Sequence, residues 1–208
     1  MNPKTLTQTA NPFPPLKPRR GNLYTYQVVK SETLHEVPQT YSVDLGFSTR
    51  IDLELQGLEN PTAGQLVEAV RTEKNSCGDR YRFQLSSAGT EILYTYKATL
   101  ERVVDGDTLW LQVDLGFRVW TRQKIRLRGI NTAEMSNGGI KAAGFVTRHL
   151  SRVPFVVAKF SSRDKFGRYL TDIFYLEGTE DTEKVLREGI YLNQELLDRG
   201  LAVRYEGD

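Results

Sequence analysis

Two short segments hold the residues whose types and spacing could do chemistry. Asp105-Gly106-Asp107-Thr108 is a tight acidic turn. Arg126 follows it, leading into Leu127-Arg128-Gly129-Ile130-Asn131-Thr132-Ala133-Glu134. Carboxylate, amide and carbonyl oxygens are the ligands that a hard divalent cation such as calcium takes. Guanidinium groups pair with phosphate through charge-assisted, often bidentate hydrogen bonds. A second arginine, Arg168, stands in Asp164-Lys165-Phe166-Gly167-Arg168, with Lys165 beside it. Oxygen ligands for a cation plus arginines for a phosphate are what hydrolysis of a nucleic-acid backbone requires.

Each segment also has a plain structural reading. Asp-Gly is a common hairpin turn, and Asn131 or Thr132 can simply end a strand. Lys124, Arg126 and Arg128 alternate with Ile125 and Leu127, so the basic trio reads as the wet face of a strand. The joint occurrence of these features, in order, within one structural unit favours the chemical reading. The absences narrow the field further. The only histidines and cysteine are His35, His149 and Cys77, too few for a zinc cluster. A Ser-His-Asp or Cys-His arrangement has no support, and neither a Walker loop nor an EF-hand loop is present.

The elements that must position these residues read as follows. Residues 94–104, 108–115 and 119–129 are extended by their Val, Thr, Tyr and Leu content, with Asp105-Gly106 as the hairpin between the first two. Residues 139–152 read as a helix with Ile140, Ala143, Val146 and Leu150 on one face. Strands follow at 154–161 and 169–176, then a helix at Leu192–Arg199 stopped by Gly200. Residues 177–190 are acidic and uneven, and read as a surface insertion. Three strands, a helix, two strands and a helix suit a small closed barrel of the OB type.

Upstream the pattern begins again. Leu23-Tyr24-Thr25-Tyr26 and Val43-Asp44-Leu45-Gly46-Phe47 recur, offset by 70, as Leu93-Tyr94-Thr95-Tyr96 and Val113-Asp114-Leu115-Gly116-Phe117, with nine of 25 aligned positions identical. The repeat implies two copies of one unit. Strands are expected at 23–32, 40–47, 49–56 and 80–86, with a helix at 62–74. The fold class expected is mainly β with helices (α+β), as two tandem OB-fold barrels, the first incomplete or degenerate: an arm at 1–22, the first barrel at 23–92, the second at 93–208. The arm holds Pro3, Pro12, Pro14, Pro15 and Pro18, and its charged residues, Lys4, Lys17, Arg19 and Arg20, are all basic. That composition reads as flexible.

The remainder carries 24 basic against 26 acidic residues, so an anion-binding surface must come from local clustering. No apolar run has the length of a membrane span, and no hydrophobic stretch follows Lys4 to make a secretory signal. With one cysteine the default is a cytoplasmic setting, although a single free thiol is compatible with export.

Across about 93–205 the chain resembles the staphylococcal (micrococcal) nuclease, or thermonuclease, family. The carriers are Val104-Asp105-Gly106-Asp107-Thr108, Ile125 through Glu134, Lys165-Phe166-Gly167-Arg168, and Leu192-Asn193 through Gly200-Leu201-Ala202. The resemblance implies an OB barrel with helices and calcium-dependent phosphodiester hydrolysis of DNA or RNA. By it, Asp107 looks like a calcium ligand, joined by Asn131 and the Thr132 carbonyl, with Asp105 supporting the site through water. Arg126 and Arg168 look like the two phosphate-binding arginines and Glu134 like the carboxylate that positions or activates water. Lys165, Arg128 and Lys124, basic and near these motifs in the chain, are the candidate substrate contacts. The family's best-known members have aspartate where Asn131 stands and proline where Ala133 stands. That loss of charge keeps an alternative open: a catalytically impaired nucleic-acid-binding OB module. Opposite Asp105, Asp107, Arg126 and Glu134 the first copy has His35, Val37, Glu54 and Thr62, without the chemical groups. The chain ends at Asp208, short of the C-terminal helix of the secreted members. DNA and RNA both fit as substrate, and no oligomeric state follows from the residues.

Overall fold

The computed structural model describes residues 13–31, 41–52, 57–58, 60–75, 78–135 and 138–206. The first unit contains β1 (Thr25–Lys30), β2 (Tyr41–Asp44), β3 (Arg50–Asp52), β4 (Leu66–Asn75) and β5 (Gly78–Leu85). A 3-10 turn at Thr90–Ile92 leads into the second. That unit runs β6 (Thr95–Asp105), β7 (Thr108–Asp114), β8 (Trp120–Leu127), β9 (Ile130–Asn131), α1 (Ile140–Leu150), β10 (Val156–Arg163), β11 (Tyr169–Tyr175), α2 (Thr182–Glu188), β12 (Ile190–Tyr191), α3 (Leu192–Asp198) and β13 (Val203–Arg204).

The second unit closes on itself. β6, β7 and β8 form an antiparallel meander. β8 pairs in parallel with β11, β11 antiparallel with β10, and β10 returns to β6. The result is a five-stranded barrel with the strand order of the OB type, as the sequence led one to expect. Its inward positions alternate with outward ones: Leu109, Leu111, Val113, Ile125 and Leu127 are fully buried. α1 caps one end through Ala142, Ala143, Phe145, Val146 and Leu150, while Ile140, placed on that face by the sequence reading, is exposed.

The hairpin between β6 and β7 is tighter than expected. Asp105 pairs with Thr108, so Gly106-Asp107 are the turn residues. A Cβ on Gly106 would lie 2.5 Å from Ala142 Cβ and 2.9 Å from Thr132 Cγ2. The close approach of α1, rather than the turn itself, demands glycine there.

Three expectations are corrected. Residues 66–75 form a strand, not part of a helix over 62–74. Leu66, Ala69 and Val70 have helical spacing, but Val67 and Ala69 turn inward between β1 and β5, and sheet pairing overrides the local preference. The first unit is an antiparallel sheet in the order β3-β2-β1-β4-β5, and among the described residues nothing joins β3 to β5, so the degenerate barrel expected over 23–92 is an open sheet. The stretch 177–190 is not simply a surface loop. Asp181 caps α2 by accepting from Lys184 N, and Val185 and Leu186 pack with Leu23, Phe155, Val157 and Phe174.

The sequence repeat is used as a clasp between the units. Tyr26 Oη donates to the Leu115 carbonyl and Tyr96 Oη to the Leu45 carbonyl, each at 2.7 Å and each 70 positions from its counterpart. Phe117 packs on Tyr26 and Phe47 on Tyr96. Gly46 and Gly116 take positive φ of 76° and 82° in matching turns. Burial, with a lesser contribution from the nearby Asp114 for Tyr26 and Asp44 for Tyr96, pushes the pKa of both phenols far above the ordinary value, so both stay protonated. One hydrophobic core runs through both units, from Val28 and Val67 to Leu192 and Leu196.

The arm expected over 1–22 is, for residues 13–22, a strap against the second unit, not a flexible leader. Leu16 is buried, its N donates to Gln194 Oε1 at 2.6 Å, and Arg128 Nη2 donates to the Lys17 carbonyl at 2.9 Å. Arg20 donates to the Leu186 and Gly189 carbonyls and lies over the Phe174 ring. No helix is long and apolar enough to cross a membrane among the described residues.

Candidate active site

The acidic turn is held from three sides. The Asp107 carbonyl accepts from Leu127 N at 2.8 Å, tying the turn to the end of β8. Its carboxylate accepts from Thr132 N (2.9 Å) and from Thr108 Oγ1 (2.9 Å), and pairs with Arg126 Nη1 at 3.0 Å. Asp107 and Arg126 are both buried. A buried carboxylate needs such partners to stay charged.

Arg126 is thereby fixed. Its Nη2 donates to Asn131 Oδ1 at 2.8 Å and to the Ile130 carbonyl at 3.2 Å, and the Tyr205 ring lies 5.4 Å from its guanidinium. The expectation of a basic trio on one wet face does not hold. Lys124 is exposed and lies outside this cleft, opposite Trp110. Arg126 points inward at the barrel mouth. Arg128 stands just past β8, clamped on Asp172 through Nε (2.7 Å) and Nη2 (2.6 Å). Asp172 is fully buried and Tyr191 Oη also donates to it, so Arg128 acts first as a structural counter-ion.

Arg168 arrives from the turn before β11. Asp164 orients it, accepting from Arg168 Nε and Nη2 at 2.7 Å and from the Arg168 and Phe166 amides at 2.9 Å. Burial acts to raise the Asp164 pKa, but these hydrogen bonds outweigh it and hold the carboxyl below its usual range. Arg168 Nη1 reaches Thr108 Oγ1 at 3.3 Å. A continuous chain therefore runs Arg168–Thr108–Asp107–Arg126, joining an arginine of β8 to one in the turn before β11, brought together because closure of the barrel lays β11 along β8.

Around it lies a cleft of about 520 Å³ whose walls include Asp105, Asp107, Arg126, Asn131, Thr132, Glu134, Lys165 and Arg168. Of the ten sequence-predicted site residues, eight meet here; Lys124 and Arg128 do not. Glu134 is exposed on the rim, and its carbonyl accepts from Gly139 N where α1 begins.

Sequence reasoning passed over Thr108 as a bridge, Asp164 as the residue orienting Arg168, and Tyr205 as a wall. The first two sit inside motifs already singled out. Tyr205 had no local signal: it is brought in by β13 pairing with β9, with Tyr205 N donating to the Gly129 carbonyl.

The donor set fits a hard cation in kind. Asp107, the Asn131 amide and the Thr132 carbonyl are all oxygen donors, and Thr132 Oγ1 is buried beside Asp107 without a hydrogen-bond partner. The set is poor in charge: among the described residues no three acidic, histidine or cysteine side chains cluster as metal ligands.

Comparison with known proteins agrees with this geometry. Residues 124–208 match the family model described as Staphylococcal nuclease homologue. The match supports an SNase-like family for this part of the chain, with a nuclease-like or nucleic-acid-binding function. It begins inside β8, so Arg126, Glu134 and Arg168 fall within it and the acidic turn precedes it. No curated protein matches the chain.

Proposed function

We propose that the protein is a calcium-dependent nuclease that hydrolyses phosphodiester bonds of DNA or RNA in the cleft at the barrel mouth. The observation that carries the reading is the Arg168–Thr108–Asp107–Arg126 chain, which sets two guanidinium groups around one acidic turn. Asp107, Asn131 and the Thr132 carbonyl would hold calcium, which when bound neutralises charge at a phosphate oxygen. Asp105, on the cleft wall, would support the site through water. Arg126 and Arg168 bind the phosphate and stabilise the extra negative charge of the transition state. Glu134 orients the attacking water and takes its proton. Lys165, exposed on the wall, contacts the flanking backbone.

A second reading keeps the binding and drops the chemistry. It is favoured by the way Arg126 spends its charge on Asp107 and engages the Asn131 amide, leaving the cation site one carboxylate short. Cleavage of single-stranded DNA and RNA by the purified protein, with calcium, magnesium and chelator compared, separates the two. Calcium-stimulated, chelator-abolished cutting supports the nuclease; binding without cutting supports the module.

A further inference from the structure

We propose that the strap and the barrel together build a second phosphate subsite, in which Arg19 and Arg204 hold a backbone phosphate of a single nucleic-acid strand running on from the cleft. The proposal rests on the nucleic-acid reading of the cleft and is independent of cleavage.

A smaller cavity of about 200 Å³ adjoins the first, lined by Arg19, Arg128, Arg204, Ser161, Ser162 and Tyr205 among others. Tyr205 forms part of both walls. On β10, Ser161 and Ser162 of this cavity run directly into Arg163 of the cleft. The two spaces therefore make one continuous track along the barrel surface.

The charge in the smaller cavity is unbalanced. Arg128 is neutralised by Asp172. Arg204 is not matched in the same way: its Nε and Nη1 are buried with no hydrogen-bond partner among the described residues. Glu206 approaches Nε only to 3.9 Å, beyond hydrogen-bond reach, and its side chain is largely exposed. Arg19 touches only a hydroxyl, with Nη1 3.5 Å from Ser161 Oγ. Nearby, the positive charge of Arg19 helps depress the pKa of buried Lys159, although desolvation is the main cause. Buried guanidinium nitrogens without hydrogen bonds, as in Arg204, are costly and are stabilised by a visiting anion, to which exposed Arg19 adds a second positive charge.

The strap makes Arg19 a fixed contact rather than a trailing one. It lies between two anchors: Leu16 and Lys17 bound to Gln194 and Arg128, and Arg20 bound to the loop carbonyls of Leu186 and Gly189. Little ordering entropy remains to be lost when a ligand arrives. Two guanidiniums, two serine hydroxyls and an aromatic ring between cavities are the elements of a single-strand track, where cations follow the backbone and a ring stacks a base. Arg19 lies outside the segment that matches the nuclease family, whereas Arg204, Ser161, Ser162 and Tyr205 lie within it, so the strap adds its cation to a wall that the matched segment supplies.

The test is fluorescence anisotropy of a labelled DNA strand of about twelve nucleotides, near the upper site size of such folds, in chelator, across a salt series. Arg19→Ala and Arg204→Gln should each weaken binding several-fold and reduce the slope of log K against log salt by about 0.7, the share of one phosphate contact on a single strand. The loss should shrink on strands too short to span both cavities, a dependence that a merely structural role would not produce. Arg19 is exposed, so its variant keeps the test valid should Arg204→Gln fail to fold. Wild-type affinity and slope in Arg19→Ala overturn the subsite. Cleavage measured in parallel separates the two claims: a protein that cuts but shows no Arg19 dependence loses only the subsite. One that binds through Arg19 without cutting loses only the nuclease. A wild-type protein that does not bind the strand loses both.

Discussion

The turn after β2 and the turn after β7 are built alike. In each, an aspartate accepts from the glycine amide two residues on, at 2.9 Å, and three successive residues, Gly46-Phe47-Ser48 or Gly116-Phe117-Arg118, adopt positive φ. Beyond those turns the two units diverge. In the second, α1 packs on the acidic hairpin and β11 closes against both β8 and β10. In the first, β4 occupies the place where a helix was expected, and among the described residues the sheet is open. Only the closed unit has a cleft joining Arg126 to Arg168, because only closure lays β11 along β8. The open sheet instead lends its β2–β3 turn and Tyr26 to the clasp. Both copies of the sequence pattern thus serve cohesion through the clasp, and only the second is also part of a closed barrel with a cleft.

The largest expected effect sets the two units apart directly. Arg168→Ala should slow calcium-dependent cleavage of single-stranded DNA by on the order of 10² to 10³, while Arg80→Ala, on exposed β5, leaves the rate as it was. Steady-state rates on the two variants decide it, and near-parental cutting by Arg168→Ala would remove the barrel's privileged role.

Packing at the hairpin comes next. Gly106→Ala should cost about 1–3 kcal/mol in urea unfolding, because the new methyl meets α1. Gly144→Ala, in the same helix with nothing within 4 Å, should gain about 0.5–1 kcal/mol. Equal behaviour of the two would mean that α1 does not press on the acidic turn.

The clasp offers a symmetric test. Tyr26→Phe and Tyr96→Phe each take the hydroxyl donor from a buried carbonyl and should each cost roughly 1–3 kcal/mol. Both should leave a single unfolding transition. A loss in one variant with none in the other breaks the equivalence read from the 70-residue offset.

The smallest effect is in pH dependence. Burial pushes Lys159, on β10, down from 10.5 to about 8, opposed by Asp172. Between those values the unfolded chain binds more protons than the folded one, so this group contributes stability that rises with pH over that window and is absent below it. Lys159→Met should flatten the rise of melting temperature from pH 8 to 10.5 relative to the parent. An unchanged difference across that range would show that the ammonium keeps its solution acidity.

Much of the barrel was legible in the sequence, since period-two runs such as Leu109-Leu111-Val113 carry their own burial pattern. The site was legible where its members share a short motif, as Asp105 with Asp107 and Lys165 with Arg168 do, although the supporting roles of Thr108 and Asp164 inside those motifs were passed over. Arg126 was named as a site residue and lies in the cleft, but its alternation with Ile125 and Leu127 had pointed it at solvent, and it is buried. The buried Asp107 carboxylate pairs with the guanidinium and holds it inside. The sequence pattern failed for residues 66–75, where helix-forming residues are held extended by neighbours on both sides. His35, Val37 and Glu54, set by the repeat against Asp105, Asp107 and Arg126, lie outside the described residues; Thr62, set against Glu134, is exposed.

By itself the sequence determined the composition of the site and the spacing of the repeat, because local chemistry and periodicity are written residue by residue. Tertiary structure alone decided that one copy closes while the other, among its described residues, is an open sheet, and that Tyr205 lines the cleft and residues 13–22 lie against the second unit. Those outcomes depend on which strand edges find partners across long stretches of chain, and no local pattern encodes that pairing.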